Sequence, residues 1–419
     1  MTLHQQFQFR PEHDRVFFRV IPAEPAVFLL RGVDPGAEPY VSRTANLRRR
    51  LQRLLGPIEL GSDGTPRTRK LNLRDRVRSV EFSLTGSDFE SGWMIYRVLR
   101  GAFPQTYTER LRLRMAPLIK LHLENAYPRA SVTTRLGRLS SGEGVRAQYY
   151  GPFYSRASAE DFLNDSLDFF MLRRCVEELN PDPAFPGCIY SEMKMCHAPC
   201  FKGCTDETYA AETARVQAYL NTGGRSLLRE FEAARDAASA ALDFEKAAAV
   251  HARIEKLKPV AGQLSELVHC VHQLHGLIVQ RSAHEGCVAL FPLHAGCIQG
   301  PLQFAIQPLL DVHTVAETSA QISAQQSSAE LARLGPANPV QPRSLEARVQ
   351  ACLAEAPPLA NPTALETMEH LAMLRRWFYR GSRTGEVFFV DEKGHLPMRR
   401  IVRGIGRVFK GEKVPENAL

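Results

Sequence analysis

Five of the chain's nine cysteines fall between Cys175 and Cys204, and this cluster constrains the fold more than any other feature. The spacing is Cys175-x12-Cys188-x7-Cys196-x3-Cys200, with Cys204 following after three more residues. Pro181, Pro183, Pro186 and Pro199 interrupt the same segment, which therefore reads as a loop. The N-terminus has no apolar stretch of the kind a secretory signal needs, and no apolar run is long enough to span a membrane. The chain is accordingly read as cytoplasmic, with no membrane partner. A tight cysteine cluster in that setting points to a metal site rather than to disulfides. Cys175, Cys188, Cys196 and Cys200 could hold a [4Fe–4S] cluster or a tetrahedral Zn²⁺. The uneven gaps lack the paired C-x2-C knuckles common at zinc sites, and simple burial of the thiols is the third reading. Cys270, Cys287, Cys297 and Cys352 are scattered and read as small core residues.

At 419 residues the chain needs two to four modules. Its net charge of +8 is uneven, because residues 1–150 alone hold 25 Lys/Arg against 14 Asp/Glu. A basic module suits a polyanion such as DNA, although a solvated arginine-rich face would look the same.

Hydrophobic periodicity places the elements. Two β-rich runs, 25–31 and 38–43, flank a turn and predict a hairpin. Residues 45–55 predict a helix with Leu47, Leu51, Leu54 and Leu55 on one stripe and Arg48, Arg49 and Arg50 beside it. A strand over 77–84 and a helix over 88–101 follow. Three further strands are expected within 117–123, 129–135 and 146–153, then a helix over 157–173. Residues 227–258 read as two helices broken near Ala241–Asp243, and 274–304 as a β-meander. Residues 312–345 read as a poorly ordered connection, 362–379 as a helix, and the end as a basic tail that is either solvated or touches DNA.

Pro25-Ala26-Val27-Phe28 and Pro39-Tyr40-Val41-Ser42-Arg43, with Leu47 to Leu51 on the next helix, are similar in order and spacing to the GIY-YIG nuclease module of the UvrC family. The resemblance implies a phosphodiester-cleaving site with Tyr40, Arg43 and Arg50 in catalytic positions and Mg²⁺ or Mn²⁺ as its metal. Arg48 and Arg49 would contact DNA. Such hydrolysis needs a base for water, a cation for developing charge and a Lewis acid on the leaving oxygen. Four positions depart from the pattern, and Ala26 and Ser42, which stand where the family has glycines, are two of them. Phe28 replaces the first tyrosine, and Ile95 stands where the family places its metal-binding glutamate. An aliphatic side chain cannot ligate a hard cation. Asp88 and Glu90 could serve only in a shifted register. Without catalysis, the same scaffold could still position DNA.

Further stretches resemble the same family: PLIKLHLENAYPRASVTTR (117–135), YYGPFYSRAS (149–158) and the Cys175–Cys200 segment, for which the likeness implies the [4Fe–4S] cluster. Ala241-Leu242-Asp243-Phe244-Glu245-Lys246-Ala247-Ala248 resembles the UVR motif, which implies docking to a UvrB-like protein through Leu242, Phe244, Ala247 and Ile254. An ordinary surface hairpin is the alternative. The family's second nuclease domain would need clustered acids, yet residues 263–419 hold only Asp311 and Asp391 as aspartates. The expected fold class is α/β (α+β). Its parts are a degenerate GIY-YIG-like module (20–105), an α/β linker region (106–174), the cysteine loop (175–204), a helical region (205–262, UVR motif within 227–258) and a separate α+β domain (263–419). The expectation is a DNA-repair protein similar to a short, Cho-like UvrC paralogue. Its rivals are a non-catalytic adaptor and a redox-sensing DNA-binding protein.

Overall fold

The computed structural model describes residues 3–34, 36–57, 71–137, 147–306, 344–357 and 362–412. The stretch 312–343 of the expected connection lies outside them. The N-terminal sheet is antiparallel with order β1-β4-β2-β3, built from Gln5–Gln8 (β1), Ala26–Gly32 (β2), Tyr40–Thr44 (β3) and Val77–Leu84 (β4). The expected module is therefore extended backwards. β1 pairs with β4, and helix α1 (Asp14–Val20) packs Phe17 into the same core, so the unit begins well before residue 20.

Strand alternation divides β2 between two cores. Ala26, Phe28 and Leu30 pack with Leu47, Leu51, Leu54 and Leu55 of helix α2 (Leu47–Leu55). Val27 and Leu29 pack with Met94 and Val98 of helix α3 (Asp88–Ala102). Each helix starts where its cap dictates. The Asn46 side chain accepts from the Arg49 N–H, and Ser87 accepts from that of Glu90. Glu90 reaches back to the Gly86 N–H at 2.7 Å and is almost wholly buried, which pushes its carboxyl up to about 6.

A second sheet has order β6-β5-β7-β8: Leu118–Leu121 (β5), Ala130–Thr133 (β6), Gln148–Gly151 (β7) and His269–Cys270 (β8). It packs on helices α5 (Arg156–Leu167), α7 (Asp206–Asn221), α8 (Arg225–Ala240) and α9 (Phe244–Ala261). Helices α4 (Tyr107–Leu111) and α6 (Ile189–Glu192) are single turns. The third sheet contains Gly276–Arg281 (β9), Cys287–His294 (β10), Cys297–Ile298 (β11), Leu302–Ala305 (β12) and Glu386–Phe389 (β13). Helices α10 (Leu345–Ala354), α11 (Ala364–Phe378) and α12 (Met398–Lys410) accompany it.

The mixed α+β class is as expected, but the separateness of 263–419 is not. β8 completes the sheet of the linker region, so the boundary at 262 cuts through a sheet. The largest core joins Phe89, Trp93, Tyr96 and Leu99 of α3 to Ile278, Phe291, Leu371, Leu374 and Trp377. Trp93 Nε1 donates to the Gly300 carbonyl at 2.8 Å. A Cβ at Gly86 would come within 2.3 Å of the Arg281 and Ser282 backbone, so the start of α3 lies directly on the end of β9. At the centre, buried Glu369 of α11 accepts from the Tyr96 hydroxyl at 2.8 Å and the Tyr107 hydroxyl at 2.5 Å. The expected basic tail is instead a helix. α12 buries Ile401, Ile405 and Val408 and exposes Arg399, Arg400, Arg403 and Lys410.

Candidate functional site

The structure gathers part of the expected nuclease site and separates the rest. Tyr40 and Arg50 meet, with Arg50 Nη2 donating to the Tyr40 hydroxyl at 2.9 Å. Phe28 lies beneath Tyr40, ring centroids 6.1 Å apart, and is fully buried. Arg50 Nε is buried without a hydrogen-bond partner. A guanidinium N–H left unpaired beside a phenol is suited to an incoming anion. Arg49 is exposed, whereas Arg48 Nε donates to the Ile21 carbonyl at 2.6 Å and ties α2 to the end of α1.

Arg43 faces the other way. It pairs in register with Val27, on the α3 side of the sheet. There it lines a cavity of about 240 Å³ together with Ile95, Phe89, Trp93 and Trp377. Arg110, Arg376 and Arg380 also line it. Ile95 is half-buried and packs beside Val41. Neither alternative acid is set up as a metal ligand. Glu90 is taken up in capping its own helix, and Asp88 accepts from Arg380 at 2.7 Å. The convergence of α3, α4 and α11 on this cavity was missed from the sequence, because nothing local in Arg376 or Trp377 announces a partner more than two hundred residues away.

The cysteine loop brings Cys175, Cys188, Cys196 and Cys200 near one another. Burial first, and then the other three thiols, push the Cys196 thiol up to about 11. All four are free thiols, so no disulfide competes for them. The Ala198 N–H donates to Cys196 Sγ at 3.3 Å, and Arg173 Nη1 to Cys175 Sγ at 3.5 Å. Among the described residues no three or more His, Cys, Asp or Glu side chains are gathered for a single ion. One zinc ion holds its thiolates at about 2.3 Å and so draws them close together. Cys204 is raised by its own burial first and then by Asp206, and stands at the margin of the set.

The α8–α9 hairpin is anchored at its foot and bare at its tip. Leu227, Phe231, Ile254 and Leu257 are buried in the core of the second sheet. Leu242 and Phe244 are 73% and 66% exposed. Leu242 holds a left-handed backbone (φ 60°), and Asp243 then caps α9 by accepting from the Lys246 N–H. Ala247 is half-buried. Ile254, expected to face a partner, is 1% exposed and belongs to the chain's own core. The helical stripe that carries it turns inward one face away from Phe244.

Comparison with known proteins shows what the chain is similar to. Residues 116–219 match the family model for the UvrC/Cho excinuclease middle domain. The chain is 25% identical over 289 residues to UvrABC system protein C of Saccharophagus degradans, covering 66% of this chain and 45% of that protein. The protein of the same description from Brucella abortus biovar 1 is 25% identical over 289 residues, covering 68% and 43%. That from Trichlorobacter lovleyi is 27% identical over 240 residues, covering 55% and 36%. The chain thus spans less than half the length of these relatives. No solved structure matches it. No helix among the described residues is long and apolar enough to cross a membrane.

Proposed function

We propose that the chain is a nucleotide-excision-repair adaptor that binds DNA and a UvrB-like protein without cutting the strand. The observation that carries this reading is the state of the nuclease scaffold. Tyr40 and Arg50 are paired and their guanidinium–phenol edge suits a phosphate, while Phe28 and Ile95 stand where the resemblance would put a water-orienting hydroxyl and a metal-binding acid. A phosphate can be held by such a site, but water is not activated there. In a nicking assay on a labelled, lesion-bearing duplex with the cognate UvrB-like protein, neither Mg²⁺ nor Mn²⁺ is expected to support incision. Arg50→Ala should weaken duplex binding about tenfold, the worth of one charge-assisted hydrogen bond. Incision that disappears in Arg50→Ala would overturn the adaptor reading.

We also propose that Cys175, Cys188, Cys196 and Cys200 hold a [4Fe–4S] cluster. Four soft thiol donors on one loop, close enough to influence one another electrostatically, support it. Bound there, the cluster would supply structural cross-linking of the loop and a redox-active centre. Anaerobically purified protein is expected to be brown and to contain about four irons per chain. A colourless protein with one zinc would rule the cluster out.

A further inference from the structure

We infer that the cavity between α3, α4 and α11 binds a single unpaired nucleotide of a DNA strand, with the base inside and its flanking phosphates on the arginine rim. This inference rests on the DNA-binding reading above and assigns that reading a second, base-accepting site.

Size comes first. About 240 Å³ is below the roughly 300–1,000 Å³ that drug-sized ligands fill, and far too narrow for a duplex. A flat group of nucleobase dimensions fits, and a base reaches such a cavity only when unpaired or flipped out.

The chemistry of the wall agrees. Phe89, Trp93 and Trp377 supply aromatic surface, and Ile95 and Leu99 supply aliphatic surface. Both indole N–H groups are already used inside the protein, Trp93 on Gly300 and Trp377 on the Thr384 carbonyl at 3.1 Å. What the tryptophans offer a ligand is the strip of ring left at the cavity wall, since Trp93 and Trp377 are 6% and 7% exposed. Apolar contact with such ring surface tolerates any base, because every base has a π-face.

The rim selects an anion. Arg43, Arg110, Arg376 and Arg380 all reach the solvent. Arg380 is held by Asp88 at 2.7 Å and Arg110 by Glu38 at 2.8 Å, so two of the four charges are already offset. Arg43 and Arg376 form no ion pair among the described residues, and they leave the rim positive. An apolar aromatic pocket with a net cationic rim matches a base joined to phosphates.

The structure also supplies a plug. Gly92 lines the cavity on α3, and a Cβ added there would meet nothing within 4 Å. Gly92→Leu therefore adds bulk at the cavity wall with no clash at Cβ and favours the helix.

Trp93 and Trp377 are the only two tryptophans of the chain, so emission excited selectively at tryptophan reads this cavity. The probes are octathymidylate, an abasic strand of equal length, thymidine monophosphate and a labelled blunt duplex. Octathymidylate is expected to quench the emission saturably, while the abasic strand and the mononucleotide leave it nearly unchanged. Gly92→Leu should abolish the quench with an equal or higher melting temperature, and Arg376→Ala should weaken it about tenfold. Absent quenching with the duplex still bound would overturn this site and leave the DNA-binding reading standing. Failure to bind either duplex or strand would overturn both. Quenching that survives Gly92→Leu, or that the abasic strand or the mononucleotide reproduces, would also overturn the inference.

Discussion

Glu369→Ala should lower the stability of the whole chain by about 3–5 kcal/mol, read as a shift in the urea midpoint of its circular-dichroism transition. The carboxylate is fully buried and accepts two tyrosine hydroxyls. Each hydrogen bond to a charged acceptor contributes about 1.5–3 kcal/mol, and its loss leaves a buried hydroxyl unpaired. Burial, and then Glu369 itself, hold both phenols protonated. Tyr96 is raised well beyond its usual range and Tyr107 is pushed up to about 12. The neighbouring Arg100–Glu366 pair is a useful contrast. Its ends are 39% and 26% exposed, so Glu366→Ala should cost under about 1 kcal/mol. Glu369→Gln, which keeps the shape and loses the charge, should fall between the two. A Glu369→Ala protein as stable as wild type would show that packing alone joins α3 to α11.

Leu242→Asp combined with Phe244→Asp should reduce affinity for the UvrB-like partner at least 100-fold while leaving stability unchanged. Both side chains stand exposed at the hairpin tip. Two apolar anchors worth about 2 kcal/mol each would account for more than that loss, at 1.4 kcal/mol per tenfold. Ile254→Ala is the control, because burial in the chain's own core predicts a stability loss of about 2–5 kcal/mol instead. Isothermal titration with the partner separates the cases. Undiminished binding by the double variant would remove the hairpin tip from the interface.

Periodicity made much of this fold readable. The Leu47, Leu51, Leu54 and Leu55 stripe is buried as its spacing requires, and the strand over 77–84 appears with those bounds. The break at Ala241–Asp243 falls between α8 and α9, where Asp243 caps the second helix. The reading weakened where context overrides local signal. The helix expected over 157–173 ends at Leu167, because Leu172 and Arg173 are drawn into the loop, where Arg173 donates to the Tyr127 and Glu177 carbonyls. α9 carries on through Pro259, since a proline in the last turn removes a single bond. Short β8 and β13 depend wholly on distant partners and leave little trace in their own residues. Within the candidate site, Tyr40 and Arg50 could be placed together from motif spacing. The cavity could not, because Arg43, Arg110 and Arg376 meet only through the packing of three helices around Glu369.

That packing has a mechanical corollary. Modules joined by exposed linkers swing relative to each other, whereas a large apolar seam stops such motion. Here the seam is keyed by Gly86 against backbone, stitched by Trp93 and closed by a carboxylate shared between two tyrosines. Among the described residues, the N-terminal sheet and the third sheet are thus joined by a continuous packed seam rather than by an exposed linker. A nucleic acid that used both the Arg50 face and the arginine-rimmed cavity would meet two contact points whose separation that seam fixes.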